Sequence, residues 1–303
     1  MKKLLLLPFL FYMIGCAGER TAEFEYFLDR EPQERTERAI TSLPSPESAL
    51  NFSDYEIYSP GTLAHNSTHL FLIDFGTTSI AKVSKQEFGN PERITFSEGS
   101  GPGEVQVIQS LAVSDERLYV GDPRQMRIVE TIPDGSAERD ISTEFSPNNL
   151  LLINEGQLLN YNAAQQGHLF TFYHIEPDTT SGFEEINFDF DEIMKYAGYI
   201  SGDESNVYFA GYSEPLLRKY TTDGELIFSR STIDNFDTSD FYEVRTQGDM
   251  RMAGFSDDAL FSSMDVAHYE GYLIVIPSRN NNESAKPGCV RCWQWGIPGN
   301  ILC

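Results

Sequence analysis

From residue 49 onward, short apolar runs alternate with clusters of Gly, Pro, Asn and Asp, and no amphipathic helical stripe longer than about ten residues interrupts them. Runs such as Leu70-Phe71-Leu72-Ile73 and Val207-Tyr208-Phe209-Ala210 are short and rich in aromatic and branched residues, which predicts strands. Two stretches align without a gap. Leu118-Tyr119-Val120-Gly121 matches Val207-Tyr208-Phe209-Ala210, Ile128 matches Leu217, and Asp134-Gly135 matches Asp223-Gly224. Each copy therefore predicts strand, turn, strand and an Asp-Gly hairpin in one register. Glycine suits such a hairpin because the primed two-residue turns need positive φ, which Gly135 and Gly224 adopt without a Cβ clash.

Weaker copies start at Leu70, Leu158 and Tyr272, so five starts fall at 70, 118, 158, 207 and 272. A repeat of about 45 residues is the period of four-stranded β-propeller blades, whose apolar faces are buried only by stacking on their neighbours. The predicted fold is all-β, with a propeller over 49–276; a β-sandwich with hairpins alike by chance is the alternative. Asp74 and Asp122 end the apolar run of the first two blades, which reads as the innermost, axial strand. Their carboxylates are expected to accept hydrogen bonds from the backbone of the following turn.

Gly99-Ser100-Gly101-Pro102-Gly103-Glu104, followed by Leu111-Ala112-Val113, Arg117-Leu118-Tyr119-Val120-Gly121-Asp122, Met126-Arg127-Ile128 and Asp134-Gly135, resembles the NHL-type repeat of six-bladed propeller lipoproteins of Bacteroidetes and related bacteria. The resemblance is strongest over 97–140 and extends over 60–276. It implies six blades, in a group whose members mostly lack an assigned activity. The chain departs from that expectation: five starts are visible, and the fifth loses its pattern after Ile276. Residues 277–303 hold Cys289, Cys292 and Cys303 with Trp293 and Trp295, and carry Arg279, Lys286 and Arg291 against Glu283. This atypical tail reads as an appended element or, preferably, as the product of a reading-frame change, which would leave a sheet edge open to pairing with other chains.

Charge adds an address. The 303 residues carry 46 acidic and 22 basic side chains, a formal net charge of −24. So few clustered cations exclude nucleic acid as a partner, since phosphate binding relies on Lys and Arg displacing counterions. Aromatic residues at 13% exclude a disordered acidic polymer. Lys2 and Lys3 precede an apolar stretch, Leu4 to Ile14, too short to span a bilayer as a helix, and residues 1–15 read as a signal peptide. Met13-Ile14-Gly15-Cys16 resembles a bacterial lipobox, which implies acylation of Cys16 and a membrane anchor; an ordinary signal peptide containing Cys16 is the alternative. Ala17 stands where the inner-membrane retention aspartate of enteric lipoproteins would be, so by resemblance the outer membrane is expected. Residues 16–48, acidic and proline-containing, read as a tether with a short helix around Phe24 to Leu28.

Reaction chemistry is sparse. HExxH, GxSxG and phosphate-loop spacings are missing from the sequence, and GSGPGE (99–104) reads as an inter-blade crossing turn. Cys289-Val290-Arg291-Cys292 is a single CxxC, short of a zinc site and compatible with a disulfide in an exported protein. His65, His69, His168, His174 and His268 are scattered. Asp189, Asp191 and Glu192 offer oxygen ligands for Ca²⁺ without EF-hand spacing. No cofactor is expected otherwise. Three functions remain: a lipid-anchored envelope scaffold binding a protein, peptide or glycan; a lactonase or sugar hydrolase with a metal in the channel, by fold analogy; and a truncated copy without function.

Overall fold

The computed structural model describes residues 51–163, 167–186, 190–232, 238, 242–247, 250–256, 259, 261–269, 272–277 and 293–296. The segments expected to be a signal peptide and a tether, with Cys16, lie outside the described residues, as do Asp189 and the three tail cysteines. The described chain is nearly all β. Blade 1 is β1 (Pro60–His65), β2 (His69–Asp74), β3 (Ser79–Ser84) and β4 (Glu92–Thr95); blade 2 is β5 (Ser110–Val113), β6 (Leu118–Asp122), β7 (Arg127–Thr131) and β8 (Ala137–Ser142). Blade 3 is β9 (Leu150–Asn154), β10 (Gln157–Tyr161), β11 (Gly167–His174) and β12 (Thr179–Ile186). Blade 4 is β13 (Gly198–Gly202), β14 (Asn206–Gly211), β15 (Leu216–Thr221) and β16 (Leu226–Ser231).

Each of these sheets is an antiparallel meander in chain order. Their first strands are neighbours in sequence, β1 beside β5, β5 beside β9 and β9 beside β13. Four-stranded meanders with their first strands grouped around one axis make a β-propeller. After an inserted hairpin, β17 (Tyr242–Gln247) and β18 (Met250–Phe255), a fifth sheet follows with β19 (Ser263–Tyr269), β20 (Tyr272–Pro277) and β21 (Trp293–Gly296); β19 lies beside β13. Within the 277–303 segment, β21 thus pairs with β20, Leu273 opposite Trp295.

The apolar starts in the sequence all fall on second strands, β2, β6, β10, β14 and β20, not on the axial strand. Second strands are buried on both faces, so they carry the longest apolar runs, while the first strands border the channel. Side chains of a strand alternate between faces, and here each face meets a different blade. Phe71 and Ile73 of β2 pack with Leu118 and Val120 of β6. The intervening Tyr119 turns the other way, toward Leu158 and Tyr173 of blade 3. Leu159 and Tyr161 of β10 meet Val207 and Phe209 of β14, and Tyr208 and Ala210 meet Val266, Leu273 and Val275 of the fifth sheet. Among the described residues the core is therefore four inter-blade seams and a small cluster around Ile57 rather than one central cluster.

The seam between blades 3 and 4 is aromatic and charged at once. Phe170 stacks on Phe183 at 4.8 Å between ring centres and meets Tyr220 at 5.4 Å. Among these rings lies Arg218, fully buried, donating to Glu184 at 2.7 Å, to the Tyr220 hydroxyl at 2.9 Å and to Ser229 at 3.3 Å. A buried guanidinium is tolerable only when its donors are occupied, and Glu184 supplies the countercharge across the seam.

The Asp-Gly hairpins join β7 to β8 and β15 to β16, but they are not primed turns. Only Gly135 and Gly224 have positive φ, 95° and 86°, and the Gly135 and Gly224 N–H groups donate to Ile132 and Thr221 carbonyls. Each loop is thus a type I turn closed by a left-handed glycine, with the register shift of a bulge beside it. The aspartate keeps ordinary φ, and the glycine alone supplies the unusual conformation.

Arg218→Met strands Glu184 and should cost about 3–5 kcal/mol, whereas pairing it with Glu184→Met should recover most of that loss. Urea unfolding of the two single variants and the double variant measures both effects.

Candidate functional site

The hairpin loops joining first to second strands gather at one end of the channel. Each turns on its own side chain. Asn66 Oδ1 accepts from the N–H groups of Thr68 and His69 at 3.0 and 2.8 Å, and Ser114 Oγ from those of Glu116 and Arg117 at 3.2 and 3.0 Å. Asn154 Oδ1 accepts from Gly156 N–H at 2.9 Å, and Asp203 Oδ1 from Ser205 and Asn206 at 2.8 and 2.9 Å. Short polar side chains bond readily to the backbone two or three residues on, which tightens each hairpin. These four residues share one register, four positions before the starts at 70, 118, 158 and 207. That periodic Asn/Ser/Asn/Asp was the available sequence signal for the site; attention to the apolar runs passed over it.

The next residue in three of the loops is acidic. Asp115, Glu155 and Glu204 border a cavity of about 560 Å³, with Asn66, Ser114, Asn154 and Gly156 beside them and Leu152 and Ile153 of β9 lining it. Neighbouring loops are tied together: Asn66 Nδ2 donates to the Ser114 carbonyl at 3.1 Å, and Ser67 N–H and hydroxyl donate to Asp115 Oδ1 at 2.9 and 2.7 Å. Those two donors hold the Asp115 carboxyl below the usual carboxylate range, so it stays anionic. Toward the fifth sheet, His268 stacks on Tyr208 at 5.1 Å and its Nδ1 lies 3.3 Å from Asp203 Oδ2. The first strands of blades 1 to 4 contain no Asp or Glu, so the carboxylates at this mouth come from loops. The arrangement can attract a cation or a polyhydroxylated ligand by charge and hydrogen bonding.

The aspartates singled out by the sequence lie elsewhere and act on the backbone. Buried Asp74, at the end of β2, accepts from Gly76 N–H in the following turn at 3.1 Å, as expected. It also accepts from Ser59 N–H at 2.9 Å, Tyr58 N–H at 3.2 Å, the Thr77 hydroxyl at 2.7 Å and Arg93 at 3.3 Å. Asp122 holds Gln106 N–H at 2.7 Å, Gln125 Nε2 at 2.8 Å and Arg124 N–H at 3.2 Å. Each therefore clamps the segment leading into its blade as well as the turn. Asp134 accepts from Ser136 N–H at 2.8 Å within its hairpin, and at Asp223 the backbone N–H donates to Thr221 Oγ1 at 3.3 Å.

The GSGPGE segment lies on the crossing from β4 to β5. Glu104 folds back to accept from Gly101 N–H at 2.7 Å, and Arg127 donates to the Gly101 and Glu104 carbonyls. His65 and His69 flank the β1–β2 hairpin, His65 facing Lys85 and His69 Nδ1 bonded to the Thr68 hydroxyl, while His174 bonds Ser181. Among the described residues no group of three His, Cys, Asp or Glu side chains could hold a metal ion. Asp191 and Glu192 fall in the short 3-10 helix Phe190–Tyr196, and their side chains lie outside what the structure describes. No described helix is long and apolar enough to cross a membrane.

No family model matches the chain, and no curated protein matches it. Solved structures are similar at low identity. An exported-protein candidate from Bacteroides fragilis aligns at 15% identity over 84% of this chain and 74% of that one, with a TM-score of 0.48. A member of the DUF4221 family from Bacteroides vulgatus gives 10%, 75% and 73%, with a TM-score of 0.46. Glutaminyl cyclase from Myxococcus xanthus gives 12%, 70% and 83%, at 0.41. At such scores the propeller assignment rests on the sheet order and the inter-blade seams of this chain.

Burial would raise the Asp74 pKa, but the bonds from Ser59, Thr77, Gly76 and Arg93 outweigh it and hold the carboxyl below its ordinary value. A lowered folded value stabilises the protein above the unfolded pKa, about 3.9, and that contribution disappears as pH falls through the lower folded value. Asp74→Asn should therefore be less stable than the native chain at neutral pH and should lose less on acidification below about pH 4. Urea midpoints across that range test this.

Proposed function

We propose that the chain is a lipid-anchored cell-envelope propeller that binds its ligand at the acidic channel mouth and performs no catalysis. The supporting observation is the repeated loop device. Four corresponding hairpins, each shaped by its own side chain, bring Asp115, Glu155 and Glu204 to one rim. Propellers commonly present loops from several blades around an axis, where a ligand can touch many at once. Three carboxylates at the rim, against Lys85 held on the Asn66 carbonyl at its edge, favour positively charged ligands, such as a Lys-rich stretch of peptide, and disfavour nucleic acid. Acylation of Cys16, as the lipobox-like residues suggest, would tether this body to the membrane, with the outer membrane the expected one. The NHL-like repeat implied by the family resemblance belongs to this reading as well.

The charge test uses a fluorescent Lys-rich peptide titrated into the protein at low and physiological salt. Asp115→Asn, Glu155→Gln and Glu204→Gln together should weaken binding about tenfold or more at low salt and flatten its salt dependence, while leaving the melting temperature nearly unchanged. Equal affinity of the triple variant would remove the mouth as the binding face. Separately, palmitate labelling should be lost in Cys16→Ala; unchanged labelling would refute the anchor.

A further inference from the structure

Blades 2 and 3 are keyed to the blade before them by a plug. Val105, on the segment entering blade 2, packs among Phe71, Ile73 and Ile80 of blade 1; Phe145, entering blade 3, packs among Tyr119 and Ile128 of blade 2. Ile57 holds the corresponding place before blade 1. Each plug lies 17 positions before the residue that follows or ends the second-strand run, Asp74, Asp122 and Asn162. The clamp repeats too: Asp74 takes Tyr58 N–H as Asp122 takes Gln106 N–H, and Arg93 donates to the Tyr55 and Glu56 carbonyls as Arg127 does to Gly101 and Glu104.

Blade 1 thus carries a complete docking apparatus on its leading face, but Ile57 packs there only with Leu72, Ala81 and Tyr55 of its own blade and lead-in. Around it, apolar surface is open. Leu63, directly opposite Leu72, is 57% exposed, and Tyr58, Phe75 and Phe52 are exposed at 68%, 43% and 38%. At the other end of the arc, Val266, Leu273 and Val275 of the fifth sheet face blade 4. Alternation then turns exposed Ala267 and its cross-strand partner Ile274 to the trailing face. Apolar clusters join blades 1 to 2, 2 to 3, 3 to 4 and 4 to the fifth sheet; among the described residues none joins the fifth sheet to blade 1.

We infer that the leading face of blade 1 docks on the trailing face of the fifth sheet of a second copy of the chain. The two faces are the two halves of one blade-to-blade seam, so the contact continues an interface that the chain already makes four times. Such a contact is heterologous, pairing unlike surfaces head to tail. Asp265 shares the trailing face with Ala267, the seam is otherwise apolar, and the bodies share a formal charge of −24, so association should strengthen with salt.

The test uses the full chain with Cys16→Ala, Cys289→Ser, Cys292→Ser and Cys303→Ser, followed by sedimentation over a concentration series. Mass should rise with concentration and with salt, and Leu63→Asp should weaken association about tenfold, with Leu63→Gln as the milder variant if the aspartate perturbs folding. In the same background, Leu63→Cys chains mixed with Ala267→Cys chains should yield a covalent dimer with a short bis-maleimide. Four outcomes overturn the inference: a monomer at every concentration; cross-linking confined to one chain when both cysteines are on it; dimers formed by Leu63→Cys alone; or a Leu63→Cys thiol shielded from maleimide in the monomer, which would mean that the chain covers its own face.

Discussion

A blade of four strands has two apolar faces and stability requires both to be covered. The packing of the blades follows from that demand. Period-two alternation on β6, β10 and β14 sends successive side chains into opposite seams, so each second strand belongs to two cores at once. Burial at roughly 25 cal/mol per Å² of apolar surface rewards stacking and gives a lone blade little. The seams differ in chemistry while sharing geometry. That between blades 1 and 2 is aliphatic apart from two phenylalanines, whereas that between 3 and 4 is built from aromatic rings around a neutralised guanidinium.

Stacking by itself fixes neither the angle nor the order of blades; the crossing segments do. A carboxylate at the end of the second strand gathers the N–H groups of the incoming chain, and an arginine gathers its carbonyls. Both act on backbone that sheet pairing would leave unsatisfied, and buried peptide groups without partners are costly. Because the clamps sit at the end of the second strands remote from the first hairpins, the hairpin loops are free to vary. Asp115, Glu155 and Glu204 use that freedom, and their positions owe little to the core.

Much of the fold was legible in the chain because the repeat is apolar and periodic. The starts at 70, 118, 158, 207 and 272 all mark real strands, and Gly135 and Gly224 mark real hairpins. Two details were not legible. An apolar run announces burial, not proximity to the axis, so the strands that it marked are second in their blades. An Asp-Gly pair announces one positive φ and not two, so the turn type depended on the bulge beside it. The mouth was harder still: Asn66, Ser114, Asn154 and Asp203 differ in identity and agree only in place, and nothing but the fold brings the residues after them around one cavity.

The hairpin of β17 and β18 has a consequence for assembly. It interrupts the connection between Ser231 and Ser263, the longest crossing among the described sheets. Bringing the fifth sheet to its seat means closing that connection, whose entropic penalty grows with the logarithm of its length. The hairpin packs against the 3-10 helix Phe190–Tyr196, and the hydroxyl of Tyr242 donates to the buried carboxylate of Glu214, 2.7 Å away. Anchored so, it divides one long closure into two shorter ones and acts as a staging post, so that the last sheet searches for its seam from nearby rather than from the full reach of a loose chain.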